Sequence, residues 1–499
     1  MLKAILVDCI PPQTTKEEAE YRLSEAESLI KTYGGIVVVK KIQKRQTPDY
    51  KTFIGSGKLE EIIKEISNDS PNENAEEIQK SSQDKTSAAN ILIINNELKP
   101  HQTYNINERL RKFYAEEKRK YHDPKIKGKI TKEAKEPIQA WDRIDLILKI
   151  FQKHASTREA RLEIELASIK HMGPRIFGMG MQLSRQGGGI GTRGSGETNI
   201  EAMKRHLNKM EDSIRKELEA YKKVRKIHRN ARKRNNFKTV GIIGYTNAGK
   251  STLLNALTRK GAYAADKLFA TLDTRVGKMF LHENNKKAGQ ENSEKKALPA
   301  DVLPTDEEKN HFQKPHEVLI SDTIGFIENL PTTLIKSFQS TLEESIEADI
   351  LLHVIDINDP RFLQKIEVVN EILFQIDALM KPTIYVFNKI DRLSDLDRRL
   401  FEDQDETPQL SPISLQTSTQ NYVNRRQLTK QFKIFHPCFV SAETKEGLKE
   451  LKQTISDTLF PEPQSTNPTG ILNVIKNLKQ ERHTKNFIQK IQEKSQDEA

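Results

Sequence analysis

Residues 244–251 constrain the fold of this chain more than any other segment, because they read GYTNAGKS. The pattern G-x-x-x-x-G-K-[ST] is typical of a turn whose backbone N–H groups surround phosphate oxygens. Apolar residues at 240–243 predict a buried strand that enters the turn, and residues 251–257 predict a helix that leaves it. A helix N-terminus also favours an anion. The segment therefore predicts a nucleotide-phosphate loop within an α/β fold.

Side-chain chemistry assigns roles within this loop. Lys250 should reach the β- and γ-phosphates, which makes it a candidate catalytic residue, and the Ser251 hydroxyl should hold Mg²⁺. The loop residues that we expect to surround the nucleotide are Gly244, Tyr245, Thr246, Asn247, Ala248, Gly249, Lys250, Ser251 and Thr252.

A second apolar strand, at residues 318–321, ends in the sequence D-T-I-G. Asp322 lies where the acidic residue of such folds meets Mg²⁺, usually through water. Gly325 can bring its backbone N–H close to the γ-phosphate, so it is a second candidate catalytic residue. We expect Asp322, Thr323, Ile324 and Gly325 to line the nucleotide site.

The catalytic set needs one more residue, a threonine in the segment 268–274 between these two motifs. Its hydroxyl should bind Mg²⁺ beside Ser251 and Asp322, and its backbone N–H should contact the γ-phosphate. Thr271 is our candidate for this third metal ligand, and Thr274 is the alternative.

A third strand, at residues 382–387, ends in N-K-x-D, which resembles a guanine-binding motif. The Asp391 carboxylate can accept from both N1–H and the 2-amino group of guanine, whereas adenine presents neither donor there. Asn388 belongs to the same motif, and the Lys389 stem can cover the base. Ser441-Ala442, after a fourth strand, resembles the last base-contacting loop, with a backbone N–H for guanine O6.

Four motifs in this order, each at the carboxyl end of an apolar strand, predict a P-loop GTPase domain with a mixed, mostly parallel sheet. GTP is then the substrate and Mg²⁺ the metal. Phe326 stands where many GTPases carry a glutamine that orients the attacking water, so unaided turnover should be slow. Asn247 has two explanations that stay open: it helps to hold a potassium ion, or it shapes the turn.

Composition sets the outer limits. The chain of 499 residues should contain two to four domains, and its net charge of +11 suits a nucleic-acid or ribosome partner or a membrane surface. No apolar run reaches membrane-spanning length, and the N-terminus lacks the form of a signal peptide. Two cysteines, Cys9 and Cys438, indicate neither a metal cluster nor a disulfide framework. We expect a cytoplasmic monomer without stable membrane insertion.

The chain divides into four predicted regions. Residues 1–136 form a small α/β subdomain with charged insertions, and residues 137–236 form a long antiparallel helical hairpin, whose first helix runs over 137–171. The GTPase domain spans 237–461, and a basic tail follows at 462–499. In the second helix an apolar stripe indicates a packed core, and its members are Ile200, Met203, Leu207, Met210, Ile214, Leu218, Tyr221 and Val224.

The predicted helices are joined by a loop, residues 183–197, that contains six glycines and two arginines. Such backbone can approach RNA closely, and arginine can supply phosphate or stacking contacts. The following segment 201–240 has fourteen Lys or Arg against five acids. A flexible linker and a solvated charged face remain alternatives. The candidate RNA contacts are Arg185, Gly188, Gly191, Arg193 and Gly196.

The chain resembles the HflX family of ribosome-associated GTPases. The resemblance rests on residues 53–58, 142–144, 186–197, 269–273 and 322–326 together with the phosphate loop. It implies an N-terminal part that binds the large ribosomal subunit, hydrolysis stimulated by the ribosome, and splitting or rescue of stalled ribosomes. Some members also hydrolyse ATP. Asn95-Asn96 departs from the acidic residues that the family often has there.

Two other functions compete with this one. A nucleotide-gated, RNA-binding scaffold for ribosome assembly would need little turnover, which Phe326 makes plausible. Membrane-surface binding through the basic tail is a third alternative.

Overall fold

The computed structural model describes residues 2–67, 89–121, 138–171, 195–235, 237–258, 275–281, 316–323, 325–327, 334, 347–393 and 425–461. Several predicted features lie outside these ranges, namely Thr271, Thr274, Ile324, the segment 462–499, and the glycine loop with Arg185, Gly188, Gly191 and Arg193. Gly196 lies at the beginning of a described helix. Within the described ranges, no helix combines the length and apolar character needed to cross a bilayer.

The N-terminal unit is a four-stranded parallel sheet, in the order β2-β1-β3-β4, with helices between its strands. Its elements are β1 (Leu2–Ile10), α1 (Lys16–Tyr33), β2 (Gly35–Lys44), α2 (Ser56–Ser67), β3 (Ile91–Ile94), α3 (Pro100–Tyr121), β4 (Gln139–Asp142) and α4 (Arg143–His154).

Local chemistry fixes where helices begin and end in this unit. The Thr15 hydroxyl accepts from Glu18 N at the start of α1, and Gly34 ends that helix with φ +99°. Asp142 begins α4 with a capping box, since its carboxylate accepts from Asp145 N while the Asp145 carboxylate accepts from Asp142 N. β1 and β3 are buried on both faces, as expected for central parallel strands.

The predicted continuous helix over 137–171 is wrong. Residues 139–142 pair with β3, α4 follows, and a break at 155–157 precedes a second helix, α5, over 158–171. The Asp142 capping box separates strand from helix, although the apolar pattern continues across it. β4 and α4 therefore belong to the N-terminal unit, and the predicted boundary at 137 cuts through its sheet.

α5 packs against α6 (Ser195–Arg234), the long basic helix. Leu162 and Leu166 bury Ile214, with Leu218 and Tyr221 partly covered, which places the centre of the predicted stripe in a core. Ion pairs join Arg158 to Glu217 and Arg225 to Glu159. The end of the stripe leaves this core, because Val224 is 50% exposed.

The C-terminal unit is a six-stranded sheet in the order β10-β9-β8-β5-β7-β6, parallel except for β6. Its elements are β5 (Lys238–Gly244), α7 (Lys250–Leu257), β6 (Arg275–Leu281), β7 (His316–Asp322), β8 (Ile350–Asp356), α8 (Phe362–Gln375), β9 (Thr383–Asn388), α9 (Arg425–Gln431), β10 (Cys438–Phe439) and α10 (Leu448–Leu459). This is the mixed, mostly parallel sheet that the sequence predicts.

The two units pack together through α1 and α4. Tyr245, Ile327 and Leu334 of the C-terminal unit join the same apolar cluster as residues of β1, α1 and α4. Arg229 of α6 also donates to Glu347, across 2.7 Å. The phosphate loop thus lies against the N-terminal unit.

Candidate nucleotide site

The loop after β5 has backbone conformations that select its residues. A Cβ on Gly244 would lie 2.3 Å from Val354 O, and one on Gly249 would lie 2.3 Å from Asn388 Nδ2. Gly249 also has φ +92° as it begins α7. Asn247 adopts φ +63°, which asparagine tolerates better than most side chains, and it is exposed. The loop therefore curls around a space that backbone N–H groups can face.

Lys250 lies at the base of this space. Its side chain is buried, and Nζ donates to Tyr245 O across 2.8 Å. Burial lowers the pKa of Lys250 to about 8; the charge of Asp322 opposes this shift and that of Lys389 adds to it. A buried ammonium held by one carbonyl favours an incoming anion, because phosphate oxygens would restore the charge partner that burial removes.

Two oxygen ligands suited to a hard cation lie beside the lysine. Ser251 Oγ donates to Asp322 Oδ2 across 2.6 Å, and Asp322 is fully buried at the end of β7. The Thr246 hydroxyl, also buried, makes no hydrogen bond among the described residues. A hydroxyl and a carboxylate fit Mg²⁺, which prefers oxygen ligands.

The segment after D-T-I-G runs beside the phosphate loop. Thr246 N donates to Phe326 O across 2.7 Å, and Phe326 N donates to Gly244 O across 3.1 Å. Gly325 passes so close to Lys250 that a Cβ there would lie 2.8 Å from Nζ. The Phe326 ring is buried in an apolar cluster with Ile243. Phenylalanine therefore serves the core at this position and cannot orient water.

The Thr323 side chain does not join the site that Asp322 forms with Ser251. Its hydroxyl is buried and donates to Ile242 O of β5 across 2.7 Å. The side chain thus holds two strands together, and its part in the nucleotide site would come from the backbone.

Asn388 ties three loops into one pocket. Its Nδ2 donates to Ala248 O across 2.9 Å, and its Oδ1 accepts from Ala442 N across 3.0 Å. Ser441 N donates to Glu446 O, and Ser441 Oγ accepts from Thr444 N. The predicted contact of a backbone N–H in Ser441-Ala442 with guanine O6 therefore requires the bond to Asn388 or the bond to Glu446 to be shared or exchanged.

The base side of the pocket is polar and partly open. Lys389, with φ +67°, donates from Nζ to Asp356 Oδ2 across 2.7 Å, which holds its stem along the pocket wall. Asn358 Nδ2 fixes the Lys389 carbonyl across 2.8 Å. Asp391 follows on a short 3₁₀ turn and is half-buried, and its contact with guanine stays a prediction.

Residues of the N-terminal unit also reach this site, and sequence reasoning missed them. The Tyr245 hydroxyl donates to Glu25 of α1, and Ser24 and Ser28 line a cavity of about 220 Å³ next to the phosphate loop. His353 of β8 lines the same cavity, and burial lowers its pKa to about 3. No local pattern connects Glu25 with a loop 220 positions later.

A phosphate loop, a serine and an aspartate suited to Mg²⁺, and an N-K-x-D turn meet at the carboxyl ends of the parallel strands of one sheet. This arrangement defines a P-loop GTPase.

Comparison with known proteins supports the assignment to the GTPases and also indicates the family. Family profiles described as GTP-binding GTPase N-terminal, GTP-binding GTPase Middle Region and 50S ribosome-binding GTPase match residues 20–113, 154–232 and 239–389. GTPase HflX of Caldanaerobacter subterraneus subsp. tengcongensis is 38% identical over 78% of this chain and 73% of its own length. GTPase HflX of Flavobacterium psychrophilum is 34% identical over 92% of this chain and 90% of its own. GTPase HflX of Escherichia coli is 34% identical over 81% and 77%. The chain belongs to the HflX family of GTPases.

Proposed function

We propose that this GTPase binds the large ribosomal subunit and couples GTP binding and hydrolysis to ribosome splitting, rescue or recycling. The observation that carries the proposal is a nucleotide site joined to a basic helical arm. Residues 201–240, mostly in α6, have a surplus of nine positive charges (fourteen minus five), which suits RNA phosphates. The description of the profile that matches 239–389 supports the ribosome as the source of that RNA.

Within the site, we assign Lys250 to the β- and γ-phosphates, and Ser251, Asp322 and Thr271 to Mg²⁺. The metal would neutralise charge that develops on the phosphates during hydrolysis. The backbone N–H of Gly325 would stabilise the γ-phosphate. Because Phe326 is buried, water placement would depend on ordering of the switch segments when a ribosome binds.

Sedimentation with purified large subunits tests the ribosome proposal. We expect more protein to co-sediment in a non-hydrolysable GTP analogue than in GDP, and Lys250→Ala to remove that difference. Shortening the glycine loop at 183–197 should spare basal hydrolysis and weaken stimulation by subunits. Equal binding in both nucleotides would contradict nucleotide control, and loss of basal hydrolysis would contradict the division of labour.

An assembly scaffold is the second candidate, favoured by the burial of Phe326. A scaffold would release subunits without needing fast turnover. Single-turnover hydrolysis with and without large subunits separates the two, because only the first predicts stimulation.

We assign Asp391 to recognition of guanine. Asp391→Asn replaces a carboxylate that accepts from two donors with an amide that pairs poorly with them. GTP affinity should fall, while xanthosine triphosphate, whose 2-oxo group accepts from an amide, should bind better than it binds the wild type. Unchanged preference for GTP would remove Asp391 from the base site.

A bound K⁺ beside Asn247 would supply positive charge next to the phosphates during hydrolysis. Asn247→Gly keeps the φ of +63° accessible and removes the amide. If the asparagine only shapes the turn, this variant should hydrolyse GTP equally in K⁺ and Na⁺ and match the wild type. If it holds K⁺, the wild type should be faster in K⁺ and the variant should lose that advantage.

A further inference from the structure

A loop at the edge of the N-terminal sheet presents an aromatic side chain to solvent. The loop follows β2 and spans residues 45–55, and Tyr50 at its tip is 77% exposed. A single exposed tyrosine is ordinary on a surface. What distinguishes Tyr50 is the hydrogen bonding of the loop that carries it.

The loop is closed by its own backbone. Asp49 and Phe53 exchange two hydrogen bonds, of 2.7 and 2.9 Å, and Phe53 has φ +63°. The Asp49 carboxylate accepts from Lys51 N and Thr52 N across 2.8 and 2.9 Å. The Asp49 carboxylate is thus turned toward the backbone of its own loop, and the bond from Thr52 is the main reason that its pKa is lowered.

One face of α3 fixes the loop from outside. Three consecutive carbonyl groups, those of residues 49–51, each meet a side chain of this helix. The contacts are Gln102 Nε2 to Asp49 O at 3.0 Å, His101 Nε2 to Tyr50 O at 2.8 Å and Asn105 Nδ2 to Lys51 O at 2.9 Å. The Tyr50 ring leans on the His101 ring, 5.0 Å away and tilted by 35°. The loop therefore holds an exposed ring at low cost in conformational entropy when a ligand binds.

The surroundings of the ring are basic. Residues 44–56 contain three cations, Lys44, Arg45 and Lys51, and a single acid, the inward-turned Asp49. The segment that brings His101 to the ring contributes Lys99, and the acids that flank this segment are Glu97 and Glu108, the latter paired with Lys112. Lys51 and Lys99 are both exposed. Basic groups around a held aromatic ring match the chemistry of single-stranded nucleic acid, whose bases stack while its phosphates pair with cations.

We propose that Tyr50 is a stacking platform for an unpaired RNA base, with Lys51 and Lys99 contacting the flanking phosphates. The inference rests on the proposed function for the source of that RNA, a ribosomal subunit. It adds a contact in the first sheet, apart from the glycine loop. One ring among cations favours RNA over a protein partner, whose interface core would need a wider apolar patch.

The test measures binding of full-length protein to a labelled single-stranded RNA of about twelve nucleotides and mixed sequence. Tyr50→Ala should weaken binding about tenfold, as expected for the loss of one base stack, and Tyr50→Trp should restore it. Tryptophan fluorescence of Tyr50→Trp should be quenched on binding, relative to the wild type. Met380→Ala, at a side chain that is 64% exposed in the C-terminal unit, is the matched control.

Sedimentation with large subunits, run on the same variants, separates the two proposals. If Tyr50→Ala binds the RNA like the wild type, or if the wild type fails to bind it, the inference is overturned. If Tyr50→Ala loses subunit binding but keeps RNA binding, the platform meets protein and the inference is again overturned. If RNA binding depends on Tyr50 but no variant sediments with subunits, the stacking inference stands and the ribosome proposal fails.

Discussion

The two sheets of this protein both carry buried polar residues near the carboxyl ends of parallel strands, yet they use them differently. In the C-terminal sheet, Lys250 is buried with its pKa lowered, which marks a charge that its own chain does not fully compensate. In the N-terminal sheet, Asp8 receives two bonds from Arg22, of 2.9 and 3.0 Å. The carboxyl edge of the C-terminal sheet is therefore suited to a ligand. At the edge of the N-terminal sheet, the charged groups are paired with one another.

Asn95 shows how the second edge is completed. Its Nδ2 donates to Asp8 Oδ2 across 3.0 Å, and its Oδ1 accepts from Arg143 NH1 across 2.8 Å. Arg143 NH2 then donates to Glu25 across 2.6 Å. A carboxylate in place of Asn95 could not donate to Asp8, so the amide suits this buried network. Strand-end polar residues thus indicate a ligand only when the chain leaves their charge uncompensated.

The largest expected effect is at the ligand edge. Lys250→Ala should cost about 3–5 kcal/mol of GTP-binding free energy, because the phosphates lose a buried charge partner. The free energy of unfolding without nucleotide should not fall, since burial of this ammonium is unfavourable. Calorimetric titration measures the GTP-binding free energy and urea unfolding measures the stability without nucleotide, with Lys381→Ala as the control. If stability without nucleotide fell by as much as the binding free energy, Lys250 would be a structural residue, and the proposed difference between the two sheets would be wrong.

Arg143→Ala tests the paired polar residues at the edge of the N-terminal sheet. Removing one member of the buried network should lower the free energy of unfolding by about 3–5 kcal/mol, because Glu25 stays buried without this cation. The comparison variant is Arg158→Ala, whose ion pair is 60% exposed on the arginine side and should contribute less than about 1 kcal/mol. Similar urea midpoints for the two variants would refute the claim.

The pH dependence of stability without nucleotide gives a second test of whether the charge of Lys250 is uncompensated. Because the pKa of Lys250 is lowered to about 8 in the folded state, the unfolded chain binds more protons between pH 8 and about 10.5. Stability from this group should therefore rise with pH through that window, by up to about 3 kcal/mol. Binding of GTP should take up a proton there, so affinity should fall above pH 8. Lys250→Met should remove both trends in urea unfolding and calorimetry; trends that persist in it must come from another group.

The smallest expected effect lies where the two units touch. Tyr245→Phe removes the hydroxyl that donates to Glu25 and should lower the free energy of unfolding by about 1–2 kcal/mol. In Arg143→Ala the buried Glu25 carboxylate has lost its cation and still accepts from the Tyr245 hydroxyl, so the same change should cost more there. A double-mutant cycle measures this coupling, and strict additivity would show that the tyrosine and the arginine act independently.

The sequence predicts the C-terminal sheet well, because each motif there follows a short apolar strand. Order along the chain is enough to bring Ser251, Asp322 and Asn388 to one edge, since parallel strands align their carboxyl ends. The N-terminal sheet is harder. Ile138, Ala140, Ile144 and Ile147 are all buried, and such a run does not distinguish a strand followed by a helix from one longer helix.

Contacts between the two units cannot be predicted from local sequence patterns. Glu25 sits in a helix rich in acids, where nothing in its neighbourhood separates it from a solvated residue. Only the packing of α1 against the phosphate loop reveals that it meets Tyr245 and Arg143. The interior position of Phe326 is similar, because the D-T-I-G-F pattern shows that glutamine is missing and does not show that the ring is buried.

The bonds made by Asn388 have a consequence for the order of events during protein synthesis. Its two partners, Ala248 and Ala442, lie on either side of it along the chain, 140 residues before and 54 residues after. The N-terminal sheet is complete once β4 has been made, but the pocket stays open until the last of these loops emerges. A nascent chain can therefore fold its first sheet long before it gains the ability to hold a nucleotide.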